Sequence, residues 1–212
     1  MRNASSCKNG EEMSTEEIPL GIKLLTGLNK VLIRQKVTAF PNNKYVVLAP
    51  DSSVVFYAKE DSGILDRVLG GTSRAFEINV FDTEKKEVIR LRRPFTMGLD
   101  VKMDVAVCGK AVSVVRKEVT FCKPIININD SSDKPAFRVK GPVFTTSECD
   151  FELFTKSKQR IGVIRKKWSG MAREALTNAD NYVIEFPADL DVRFKAAVIG
   201  TCFLIDFMYY EN

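Results

Sequence analysis

The chain contains no histidine at all. That removes Ser–His and Cys–His nucleophile pairs, His-ligated metals and the commonest general base, so no covalent chemistry is expected and the protein reads as a non-enzyme. The five cysteines (Cys7, Cys108, Cys122, Cys149, Cys202) are odd in number and widely spaced, with no C-x-x-C pair. Neither a disulfide framework nor a zinc site is suggested. Residues 1–17 lack the charged, apolar and small-residue series of a secretory leader, and are polar with Glu11, Glu12, Glu16 and Glu17. They read as a disordered tail, and the expected location is the cytosol or the cytoplasmic face of a membrane.

A long hydrophobic run is also missing. The longest, Ala196 to Tyr210, is apolar on every face except at Thr201 and Asp206. A helix with no polar face must be buried in protein or in lipid. At about 1.5 Å per residue this run is roughly 22 Å long, against a bilayer core of about 30 Å, and Asp206 inside a span would cost several kcal/mol. Ala196, Val198, Ile199, Phe203, Leu204, Ile205, Phe207 and Met208 are therefore expected to form a buried core helix, with a membrane anchor as the competing reading.

What is present is ordinary for a packed domain: 212 residues, 45% hydrophobic, 28% charged and a net charge of +5. The fold is expected over 18–212 without a division into two domains. Most of the chain has a period of two. Residues 31–37, 45–48, 54–57, 76–80, 89–92, 101–107, 137–140, 151–153 and 182–186 read as short half-buried strands, among ten to twelve in all. A short turn or helix is expected near 21–25, and helical breaks near 62–68 and 170–176. Many short strands and one all-apolar helix suggest a closed barrel around that helix, which hides the sheet edges.

The C-terminal third carries a specific match. Lys167-Trp168-Ser169-Gly170 through Asn181-Tyr182, then Phe186-Pro187-Ala188-Asp189-Leu190-Asp191-Val192, then Gly200-Thr201-Cys202-Phe203-Leu204-Ile205-Asp206-Phe207-Met208 resembles the phospholipid scramblase family. Asn43-Lys44-Tyr45, Arg92-Arg93-Pro94, Gly141-Pro142 and Asp150-Phe151-Glu152 fall in the family's order, so the resemblance covers 18–211. It implies a mainly β, Tubby-like fold, a barrel of about twelve strands around a hydrophobic C-terminal helix. It also implies calcium-activated, ATP-independent movement of phospholipids between leaflets, or lipid binding by a scaffold that moves nothing. Where family members carry a cysteine run, this chain has Phe95-Thr96-Met97-Gly98-Leu99-Asp100, which lacks the residues for acyl anchoring.

The family's twelve-residue calcium stretch falls on 178–189, with Asn178, Asp180, Tyr182, Ile184, Phe186 and Asp189 at the ligand positions. Calcium takes six to eight oxygens, and only three of these side chains are carboxylates or amides, so weak binding is expected. The competing reading is a helix end followed by a strand. Two basic clusters, Arg90, Arg92 and Arg93 with Lys85 and Lys86, and Arg165, Lys166 and Lys167, are candidate contacts to anionic phospholipid head groups. Solvated strand ends are the alternative. The second cluster also matches the family's nuclear-import segment. An anionic membrane is the expected partner; a nuclear pool, nucleic acid and self-association stay open.

Overall fold

The computed structural model describes residues 18–36, 44–61, 75–96, 100–143, 149–167 and 181–210. The expected tail over 1–17 and the helical breaks near 62–68 and 170–176 lie outside them. A short 3-10 helix, Leu20–Leu25, is followed by β1 (Lys30–Lys36), β2 (Lys44–Leu48), β3 (Val54–Glu60), β4 (Phe76–Phe81), β5 (Glu87–Arg93) and β6 (Val101–Val107). Then come β7 (Lys110–Lys117), β8 (Ile125–Asn129), β9 (Pro135–Lys140), β10 (Cys149–Thr155), β11 (Arg160–Lys167), β12 (Asn181–Glu185) and the C-terminal α-helix, α1 (Val192–Tyr209).

Every strand pairs antiparallel with its sequence neighbours, and β1 pairs with both β2 and β12, so the sheet closes. No edge is left to template aggregation. The pleat puts alternate residues inside: Phe76, Ile78 and Val80 of β4, and Val101, Met103, Val105 and Val107 of β6 are buried. Their inward side chains meet α1, which lies within the barrel and is buried without interruption from Lys195 to Phe207. The lumen is a packed core.

Aromatic pairs fix the helix in the wall. Tyr45 meets Phe203 at 4.9 Å between ring centroids, Phe76 meets Phe207 at 4.8 Å, and Phe137 meets Phe194 at 5.0 Å. Gly200 lets the helix approach β5 and β6, because a Cβ there would lie 2.8 Å from Leu91 Cδ2. At Gly162 of β11 a Cβ would stand 2.2 Å from the Glu185 carbonyl oxygen, so only glycine fits beside β12. The helix has 18 residues, about 27 Å, and no helix among the described residues is long and apolar enough to cross a membrane.

The two rims differ in construction. At the rim where α1 starts, the hairpins are tight, and each has a non-glycine residue with positive φ: Ser52, Lys85, Cys108 (followed by Gly109, also positive), Asp133 and Lys158. Asp51, Asp82 and Asp130 close three of these turns by accepting the backbone N–H two residues on, each at 2.9 Å. At the rim where α1 ends the connections are long: 37–43, 61–75, 94–100, 118–124, 141–148 and 168–180.

The expected closed barrel and buried helix are therefore what the chain forms. Periodicity located nine strands but gave no bounds for β7, β8 and β11. In β7, inward Ser113 breaks the apolar alternation; its hydroxyl is satisfied by donating to the Asn129 carbonyl at 2.5 Å. In β11, Gly162, Arg165, Lys166 and Lys167 obscure the pattern.

Candidate functional site

At its start, α1 is held by charge. Asp191 caps it by accepting the Arg193 N–H at 2.8 Å, and its carboxylate also pairs with the Arg193 guanidinium, which pulls its pKa below the usual range. Lys195, one turn on, is fully buried, and its ammonium donates to the carbonyls of Leu25 (3.0 Å), Leu28 (2.7 Å) and Ala188 (2.7 Å). These carbonyls belong to the chain entering β1 and leaving β12. One side chain thus ties the helix to the seam where the barrel closes. Desolvation lowers the Lys195 pKa and the Asp189 charge opposes it.

Near its end, α1 carries Asp206 into the interior. Its carboxylate accepts hydrogen bonds from Tyr182 of β12 at 2.6 Å and Tyr45 of β2 at 3.1 Å. Lys166 of β11 is buried beside them, with its ammonium 3.6 Å from the Tyr210 ring centroid and 5.6 Å from that of Tyr182. Arg93 of β5 is buried on the opposite side of the barrel, 4.9 Å from the Phe207 centroid. Two cations therefore flank the negative end of the helix dipole. Burial pushes the Cys202 thiol well up, Asp206 adds to this and Lys166 opposes it, while burial alone takes the Tyr209 phenol up to about 12. The cluster is a structural lock that ties the helix end to β2 and β12.

The six basic candidates are divided by the pleat. Arg93 and Lys166 point inside, which corrects their reading as head-group contacts. Both are in phase with inward Leu91 and Ile164, a signal already present in the sequence. Arg90, Arg92 and Lys167 are exposed; Arg90 pairs with Glu87 at 2.8 Å, and half-buried Arg165 with Asp150 at 2.7 Å. Moreover, β5 and β11 lie on opposite sides of the ring, so the two clusters form no single patch. Lys85 and Lys86 sit in the β4–β5 hairpin at the other rim from Arg92.

Of the calcium stretch, Asn178 and Asp180 lie outside the described residues. Tyr182 and Ile184 belong to β12 and, with Phe186, turn buried side chains into the barrel; Asp189 is exposed in the connection to α1. Ile184 pairs with Val31 on one side and Ile164 on the other, so its backbone belongs to the sheet. The six-position set does not fit a calcium loop. Three oxygen-bearing side chains are left, too few for anything tighter than the millimolar end of calcium sites. Among the described residues no group of three acidic or cysteine side chains is placed to hold a metal. Calorimetry is expected to show calcium binding no tighter than about millimolar. Micromolar binding lost on Asp189→Ala would show that the stretch does wrap an ion.

The Scramblase family model matches residues 10–212. The chain is 35% identical to phospholipid scramblase 1 of Rattus norvegicus over 92% of its own length and 64% of that protein's. It is 34% identical to phospholipid scramblase 1 of Homo sapiens, over 92% and 67%. Against phospholipid scramblase 2 of Bos taurus the identity is 34%, over 91% and 72%. The chain thus spans about two thirds of the length of these curated relatives. No solved structure matches it.

Proposed function

The chain belongs to the scramblase family, and from that premise we propose that it is a phospholipid scramblase-like protein. It promotes bidirectional, ATP-independent movement of phospholipids between leaflets, activated by calcium, and works at the cytoplasmic face of a membrane. The observation that carries this reading is the family match across 10–212, which takes in the whole barrel and its helix. A second reading, an anionic-lipid-binding scaffold without transport, is favoured by the unbroken burial of α1 from Lys195 to Phe207. A helix sheathed by twelve strands cannot also cross a bilayer.

The pure protein should be reconstituted in liposomes carrying a dye-quenched lipid reporter, without ATP and with or without calcium. Loss of the inner-leaflet signal is the expected result. Protein that stays bound to the liposomes while that signal is protected would establish the scaffold instead. On either reading, binding is expected to prefer anionic over neutral vesicles and to weaken as salt is added, since each basic residue near such a surface contributes about 1 kcal/mol.

A further inference from the structure

Among the described residues eight large apolar side chains are exposed to solvent, and four of them belong to neighbouring connections of one rim. Phe95 lies in the β5–β6 connection, Val119 and Phe121 in β7–β8, and Val143 in β9–β10. These are three successive connections of the rim where α1 ends, so the four described side chains fall along one arc of it. Phe121 is completely exposed.

The β7–β8 connection that presents it is nevertheless braced. The Glu118 N–H donates to the Ile125 carbonyl at 2.8 Å, the Thr120 hydroxyl to the Lys123 carbonyl, and the Gly141 N–H to the Pro124 carbonyl at 2.8 Å. The last bond joins the β7–β8 and β9–β10 connections. An aromatic ring held out in water on a fastened loop is a surface feature that folding alone does not require.

Charge surrounds the arc. Arg92, Lys102, Lys117 and Lys140 stand at the rim ends of β5, β6, β7 and β9, and Lys123 is within the Phe121 loop. The nearby acids are already engaged: Glu118 by Arg138 and Asn127, Asp104 by Lys102 at 2.9 Å, and Asp100 by Arg116 at 3.8 Å. Arg92, Lys117 and Lys123 enter no ion pair among the described residues. Apolar tips ringed by uncommitted cations fit an interface with fatty chains below and phosphate at head-group level. At the opposite rim, Ile18, Leu20 and Leu24 are also exposed, but all three belong to one short stretch of chain, beside the exposed Asp189.

We propose that this arc, with Phe121 leading, is the surface by which the barrel docks end-on onto an anionic phospholipid bilayer. The inference rests on the lipid-directed reading above and adds the face and the orientation. The Arg90 and Arg165 positions on the barrel's sides are then peripheral, and the collar of Arg92, Lys117 and Lys123 makes the head-group contacts.

The test is flotation of the full chain with vesicles of phosphatidylcholine and phosphatidylserine. Phe121→Asp and Val119→Asp are expected to weaken binding roughly tenfold to a hundredfold, the factor set by losing burial of one large apolar side chain. Lys117→Glu with Lys123→Glu should weaken it on anionic vesicles, and Leu20→Asp should leave it unchanged. Leu20, Val119, Phe121 and Lys123 are exposed and Lys117 is half-buried with no ion pair among the described residues, so thermal unfolding should be unaltered in each variant. If the wild type floats and Phe121→Asp floats equally well, the docking face is wrong while the lipid-directed reading survives. Loss with Leu20→Asp in its place would assign docking to the other rim. A wild type that binds no vesicle would remove both. Sedimentation showing a dimer that Phe121→Asp dissociates, with flotation unchanged, would make the arc a self-association surface and overturn the proposal.

Discussion

Removing residues 196–212 is expected to unfold the entire barrel. Val198, Ile199, Phe203, Leu204, Ile205 and Phe207 are all buried. At about 1.5–3 kcal/mol each they contribute roughly 9–18 kcal/mol, against a typical net stability of about 5–15 kcal/mol. Without them the inward faces of twelve strands would line an empty lumen. Near-ultraviolet circular dichroism and amide chemical-shift dispersion of the truncated chain should show loss of fixed packing. A milder form of the experiment is Phe203→Ala, expected to cost about 3–5 kcal/mol because the cavity beside Tyr45 cannot collapse onto a rigid wall. A truncated protein that keeps its dispersion and only loses membrane attachment would show that the helix is an anchor.

Asp206→Leu is expected to destabilise the protein by about 3–5 kcal/mol, the usual result of removing one partner from a buried charged cluster. The variant removes the buried carboxylate that accepts hydrogen bonds from Tyr182 and Tyr45 and that stands beside the buried Lys166. Tyr182→Phe should cost less, about 1.5–3 kcal/mol, since it removes one hydrogen bond to a charged acceptor. The two losses should not add, because both break the same bond. Urea unfolding of the two single variants and the double variant measures all three quantities. Wild-type stability in Asp206→Leu would mean that the helix end is solvated and that the cluster does not lock it.

The closed barrel was legible because it depends on local pattern. Alternation in segments such as Phe76 to Val80 and Val101 to Val107 needs only the pleat to turn one face inward. An all-apolar helix carrying Asp206, too short for a bilayer, left the barrel lumen as its place. The sequence also held a signal that was easy to overlook: Arg93 and Lys166 stand in phase with Leu91 and Ile164. A basic cluster on one strand is always shared between two faces, and counting charges without assigning phase merges them.

What no local pattern could supply is which distant groups meet. Asp206 is satisfied by Tyr182 and by Tyr45, the latter 161 residues away, and Lys195 by carbonyls at Leu25 and Leu28, 170 and 167 residues away. These bonds exist only once β1 has found β12. Likewise Phe95, Val119, Phe121 and Val143 are scattered exposed residues until the ring brings alternate connections to one rim. Composition and periodicity determined that this helix must be buried, in protein or in lipid, because they fix which side chains avoid water. Only closure of the sheet decided what surrounds Asp206 and which rim faces a partner, because both depend on contacts between segments far apart along the chain.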